Sequence, residues 1–227
     1  MLCTHRFWLS TFAPPISTYC MILRPVRKIG LSHRSITGKY FSRKTGTMHV
    51  FESALERDWL TLLEFDNEVL SYTTQPVKIF YEHDGKAATY TPDVIAYYQE
   101  ELKRKPLLCE VKYQAELLEK QSYYEPKFAA ATQYAHNNGW SFATVNEQQV
   151  RTVYLENLKL LSRYQQTNIN KELAETVLQK LAHALPITQV TGGDSKLLYA
   201  VWQLLAAQRI KCDMQTKITM NTIIWKS

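Results

Sequence analysis

The sequence predicts an α/β (α+β) fold: a mixed sheet flanked by helices, followed by a smaller module of two helices and a hairpin. Three observations predict it. The chain has 227 residues, 45% hydrophobic and 21% charged, a composition that builds a core and excludes disordered and membrane-embedded classes. Short runs rich in β-branched and aromatic residues between positions 69 and 113 lie between two helical patterns. A helix closed by Asn137-Asn138-Gly139 then feeds straight into another strand, the order of a crossover onto one sheet. This length accommodates one sizeable domain and one smaller one.

Residues 1–50 hold eight Lys or Arg and no Asp or Glu, so the whole excess of the +6 formal charge lies there. Without periodicity they read as an extended basic arm, and such an arm neutralises phosphates. Arg24, Arg27, Lys28, Arg34, Lys39, Arg43 and Lys44 are its DNA-binding candidates, interrupted by Tyr40, Phe41 and Ser42. A solvated tail is the alternative. Pro14 and Pro15 break the apolar run at 7–23, so it falls short of the ~18 residues a membrane helix needs. Met21 offers a second start, which would leave residues 1–20 outside the protein; an N-terminal mass showing Met1 or Leu2 would exclude it. Cys3, Cys20, Cys109 and Cys212 form no zinc spacing, and read as reduced thiols of a cytoplasmic protein.

From 51 to 165 the elements of the larger domain follow. Phe51, Leu55, Trp59, Leu62 and Leu63 recur at helical spacing, predicting a helix over 51–65. Strands are expected at 69–73, 77–81, 90–98 and 106–113, joined as a meander with a turn at His83-Asp84-Gly85. A helix over 123–137, a strand over 140–145 and a helix from 147 to about 164 complete it. Gln165-Gln166-Thr167-Asn168 is a polar linker. Residues 168–227 then predict helices at 171–183 and 195–208 and short strands at 211–214 and 222–225, an outline compatible with a winged-helix-like module. Trp202, Leu204, Leu205 and Ile210 suit its core, while Lys196, Arg209, Lys211 and Lys217 suit contact with phosphate or a protein partner.

Chemistry enters through four residues. On a helical wheel Glu52 and Glu56 fall inside the apolar half of 51–65, opposite Arg57, Thr61 and Glu64. A buried carboxylate needs an ion pair or a bound cation. In the strand runs, alternation puts Asp93, Ile95 and Tyr97 on one face of the first strand, and likewise Leu108, Glu110 and Lys112 together on one face of the second. An antiparallel pairing with Ile95 opposite Leu108 makes Asp93 and Glu110 direct neighbours. Two carboxylates so placed repel unless a cation lies between them, and oxygen ligands suit a hard divalent ion.

Pro92-Asp93, a gap of 16 residues, then Glu110-Val111-Lys112 matches the PD-(D/E)xK signature of restriction-endonuclease-like nucleases. Phe51-Glu52-Ser53-Ala54-Leu55-Glu56, Gln75-Pro76, Tyr90-Thr91-Pro92-Asp93 and Glu110-Val111-Lys112-Tyr113, preceded by Gly38-Lys39-Tyr40-Phe41-Ser42-Arg43-Lys44, resemble the TnsA family over roughly 24–160. That family supplies the endonuclease subunit of heteromeric cut-and-paste transposases. The resemblance implies a restriction-endonuclease-like sheet with Glu56, Asp93, Glu110 and Lys112 catalytic. Glu56, Asp93, Glu110 and the carbonyl of Val111 would ligate one or two Mg²⁺, with Mn²⁺ substituting. The expected substrate is double-stranded DNA at transposon ends, and the expected partners a DDE-type transposase and an AAA+ ATPase regulator, acting at the bacterial nucleoid. A free-standing nuclease of the same fold and a catalytically silent DNA-binding scaffold are the competing functions. His33 and His136 lack a nucleophile and an orienting carboxylate, and Tyr123 and Tyr124 suit packing better than base stacking.

Overall fold

The computed structural model describes Pro25, residues 36–165 and residues 168–227. The candidates Arg24, Arg27, Lys28, Arg34 and His33 and the segment 1–20 lie outside them.

The central sheet has four strands: β3 (Val69–Thr74), β6 (Val94–Tyr98), β7 (Leu107–Val111) and β8 (Ser141–Val145), in that order. β3 and β7 run antiparallel to β6, and β8 runs parallel to β7. The parallel return requires a crossover, supplied by α2 (Gln114–Glu119) and α3 (Gln121–Asn137). Ile95 pairs with Leu108, the expected register. The other face of the sheet is covered by α1 (Ala54–Phe65), whose Leu55, Leu60 and Leu63 pack with Tyr72, Val94 and Val111.

The expected meander is corrected. β4 (Ile79–His83) and β5 (Lys86–Tyr90) form a separate hairpin, turned by Asp84 and Gly85, both with positive φ, as a two-residue turn demands. β3 therefore pairs with β6 rather than β4. The expected strand 90–98 is split at Thr91-Pro92-Asp93, because Pro92 has no N–H to give a ladder.

The N-terminal expectation also changes. Residues 38–51 are not an extended arm but a hairpin of β1 (Gly38–Phe41) and β2 (Met48–Phe51). A Cβ on Gly38 would stand 2.5 Å from the Phe51 ring, so the absence of a side chain here leaves room for that ring to lie across the strand. Glu64 locks this hairpin to α1. Its carboxylate accepts from the Ser42 and Tyr72 hydroxyls at 2.7 Å, and from the N–H groups of Arg43 and Lys44 at 2.9 and 3.1 Å. The helical wheel puts Thr61 and Glu64 outward; both are buried, as is Asp58, which pairs with Lys159 at 2.6 Å and Arg151 at 3.1 Å. The polar side of α1 faces other elements instead of solvent.

The helix expected over 147–164 divides into α4 (Glu147–Val150) and α5 (Val153–Leu161). Beyond residue 168 come α6 (Lys171–Lys180), β9 (Leu185–Pro186), α7 (Ile187–Thr191), α8 (Ser195–Ala206), β10 (Ile210–Cys212) and β11 (Ile223–Lys226). β10, β11 and β9 form a three-stranded antiparallel sheet. α7 and β9 are too short to leave a periodic signal. The core of this part includes Phe65 of α1 and Leu158 and Leu161 of α5, so apolar packing runs across the expected boundary at 165–168. Asn157 clips the two parts: its amide donates to the carbonyls of Met214 and Thr216 at 3.0 and 2.8 Å, and accepts from the N–H of Ile218 at 3.0 Å. Among the described residues, no helix is long and apolar enough to cross a membrane.

Candidate active site

Asp93, Glu110 and Lys112 meet at the open end of the β6–β7 pair. Asp93 stands just before β6, where the break at Pro92 leaves the chain free to turn; its carbonyl accepts from Gln75 N–H at 2.7 Å. Gln75 takes a left-handed φ of 49°, and with Pro76 next to it turns the chain out of β3 toward Asp93. One oxygen of Asp93, Oδ2, accepts from Val111 N–H at 2.7 Å, which ties the two strands where ladder pairing ends.

The ammonium of Lys112 lies 2.9 Å from Glu110 Oε1, 3.3 Å from Asp93 Oδ2 and 3.3 Å from the Val111 carbonyl. Three of the four groups expected to ligate a metal thus converge on one positive centre. Burial alone would depress the Lys112 pKa, but the Asp93 and Glu110 carboxylates outweigh it and hold the net value above the ordinary lysine range. Lys112 is therefore a charged donor here, not a base. Glu110 is pushed up to about 8 by burial and by Asp93, with Lys112 and Tyr90 opposing. Tyr90, buried at the end of β5, donates its hydroxyl to Glu110 Oε2 at 2.7 Å; burial and Glu110 raise its own pKa, so it remains a donor.

Glu56 stands beside this group rather than in it. It is 7% exposed, and its Oε2 accepts from Glu52 N–H at 2.7 Å. Burial and then Asp93 raise its pKa to about 7, and Lys112 opposes. Among the described residues, no three His, Cys, Asp or Glu side chains are gathered closely enough to hold a metal unaided. The donor set nevertheless fits a hard divalent ion: two carboxylates and a carbonyl, all oxygen, face one cationic centre, with a third carboxylate near enough to feel their charge.

A cleft of about 660 Å³ opens over these groups, lined by Asp93, Glu110, Lys112, Glu52, Thr89, Tyr90 and Thr91, and by Lys78, Tyr123, Tyr124 and Lys127. Sequence reasoning misses Tyr90, Lys78 and Lys127. Tyr90 lies directly before Thr91-Pro92-Asp93 and is legible as a strand residue and as part of the segment that carries the resemblance, with no role attached to it. For Lys127 the signal is its i,i+4 spacing from Tyr123. Of the basic candidates within the described residues, Lys39 and Arg43 are exposed. Lys44 is corrected: its ammonium donates to the carbonyls of Asp66 and Val69, the latter at 2.6 Å, capping the end of α1 instead of facing outward. Cys109 and Cys212 are buried free thiols, and His136 is exposed in the last turn of α3.

No curated protein matches the chain significantly. Residues 66–147 match the family model described as TnsA-like endonuclease N terminal. The match contains Asp93, Glu110 and Lys112 and the sheet that positions them; Glu56 and the C-terminal part lie outside it. A mixed sheet flanked by helices and the acid pair at its strand ends agree with this match, so residues 66–147 are similar to the TnsA-like endonuclease N-terminal domain.

Proposed function

We propose that this chain is a Mg²⁺-dependent DNA endonuclease, the subunit that hydrolyses phosphodiester bonds at the 5′ ends of a transposon during cut-and-paste transposition. One observation carries the reading: Asp93, Glu110 and the Val111 carbonyl converge on a single cationic centre at the floor of a cleft. In the proposed site these three groups and Glu56 hold the metal, with Mn²⁺ able to substitute. A bound divalent ion supplies positive charge against that developing on the scissile phosphate and lowers the pKa of nearby water.

The chain's own residues do the rest. Val111 N–H and Tyr90 hold Asp93 and Glu110 with their oxygens turned to the centre. Lys112, kept charged by those carboxylates, orients the attacking water and offsets charge in the transition state. Hydrolysis leaves a 5′-phosphate and a 3′-hydroxyl. The family match supports a transposase partner; that it is a DDE-type enzyme cutting and joining the 3′ ends, and that an AAA+ ATPase regulator joins it, is what the resemblance implies. Residues 168–227, with three helices and a three-stranded antiparallel sheet, are read as a winged-helix-like module. Lys39 and Arg43, with the basic residues before them, are read as contacts to DNA flanking the cleft.

The test uses labelled transposon-end and random duplexes in Mg²⁺ or Mn²⁺, with and without a candidate transposase. Asp93→Ala should abolish strand cleavage while leaving DNA binding intact, with some loss of thermal stability because Val111 N–H and Lys112 lose an acceptor; Asp93→Asn, which keeps an acceptor oxygen, should abolish cleavage with less loss. A variant that still cuts would refute the site, and robust cutting of random DNA without a partner would refute the transposase role.

A further inference from the structure

The wall of the cleft carries cations that the reaction at its floor does not use. Lys78, just before β4, and Lys127, on α3, both line it. Among the described residues neither has a carboxylate partner; their close neighbours are aromatic rings. Lys127 Nζ lies 3.4 Å from the centre of the Tyr123 ring and 5.6 Å from that of Tyr124, and Lys78 Nζ lies 5.8 Å from that of Phe80. Tyr124 is fixed from behind, stacked on Phe128 at 5.2 Å and donating its hydroxyl to Glu116 at 2.6 Å. Tyr123 meets Tyr124 edge-on at 5.2 Å, so its ring is steadied from one side and presents its face to Lys127. With that face taken, Tyr123 is a holder of the ammonium more than a platform for a base.

The floor of the cleft is acidic: Glu52, Asp93 and Glu110 line it, and among the described residues Asp93 and Glu110 share the one ammonium of Lys112. A polyanion reaching those acids must be attracted from elsewhere, and the unpaired cations on the wall stand where it must pass. We infer that Lys78 and Lys127 grip the DNA backbone beside the phosphate that is cut, with Tyr123 as the positioning residue that aims Lys127 into the cleft. This rests on the nuclease reading for the identity of the strand, but the grip requires no metal and no cleavage.

The full chain is titrated with a fluorescent DNA duplex in chelator over a range of salt concentrations. Each cation withdrawn from a phosphate lowers the slope of log affinity against log salt by about 0.9. Lys78→Gln and Lys127→Gln should each show that drop, the double variant about twice as much, and equally on unrelated sequences. Tyr123→Ala should resemble Lys127→Gln, Tyr123→Phe should retain the wild-type slope because the ring face is kept, and Lys127→Arg should restore it. Lys105→Ala, exposed and outside the cleft, is the control. In cleavage assays the lysine variants should raise KM and leave kcat unchanged. A double variant with the wild-type slope, or a wild-type chain that does not bind duplex, overturns the inference. If the wild type binds with these lysine-dependent slopes yet cuts nothing even with the candidate transposase and Mg²⁺ or Mn²⁺ present, the nuclease reading falls and the grip stands. Cleavage accompanied by lysine-independent binding means the reverse.

Discussion

Lys112 shares its ammonium among two carboxylates and a carbonyl, and this balance sets how the site responds to pH. Glu56 and Glu110 have folded values of about 7 and about 8, above the ordinary 4.5, so without metal the folded chain keeps protons that the unfolded chain releases. The stability they contribute is fully present below pH 4.5 and is lost as pH rises through about 7 to 8. In chelator, Glu110→Gln should therefore melt above wild type at alkaline pH, with the two converging near pH 4.5. Matching melting temperatures at both ends would remove this account. Of the site's residues, Asp93, Glu110 and Lys112 are legible because strand alternation is strict and their register follows from one pairing. Tyr90 and the wall lysines are not, since they reach the cleft from a separate hairpin and a helix, and no local period encodes such a meeting.

At the level of elements, the hairpin β1–β2 shows where sequence pattern stops informing. Its strands are four residues each and lie in a basic stretch, and what fixes them is Glu64, 13 residues beyond β2. That glutamate gives a polar signal on the helical wheel, the same that a solvated face gives. Burial beneath four donors distinguishes the two, and burial is a tertiary fact. Glu64→Ala should cost about 3 kcal/mol, because the Ser42 and Tyr72 hydroxyls and two N–H groups lose their acceptor. Urea unfolding reads it, and a loss under about 1 kcal/mol would show the lock to be idle. The main sheet is legible in contrast: β6, β7 and β8 fall where alternation and the Asn-Asn-Gly stop put them. Only the separation of β4–β5 escapes, although Pro92 and the Asp84-Gly85 turn both point to it.

Across the whole molecule, the two parts divided by the polar linker share one apolar body. Phe65, Leu158 and Leu161 pack with residues from α6 to β11, and Asn157 fastens α5 to residues 214–218. The full chain should then melt in a single calorimetric transition, with agreement between calorimetric and van't Hoff enthalpies. Two resolved peaks would mean two independent parts. Asn157→Ala, leaving two carbonyls and an N–H without partners, should cost about 2 kcal/mol and lower the melting of the nuclease half along with the rest.

The clip at Asn157 also governs the order in which the molecule comes into being. α1 and α5 belong to the nuclease half, yet one side of each is finished only by residues between 174 and 224. During synthesis the acids and Lys112 emerge long before those partners, on a sheet whose supporting helices still show bare apolar surface. The apolar sides of α1 and α5 are covered only when residues up to Ile224 are in place, so a ribosome-bound nascent chain carries Asp93, Glu110 and Lys112 before the body behind their supporting helix is closed.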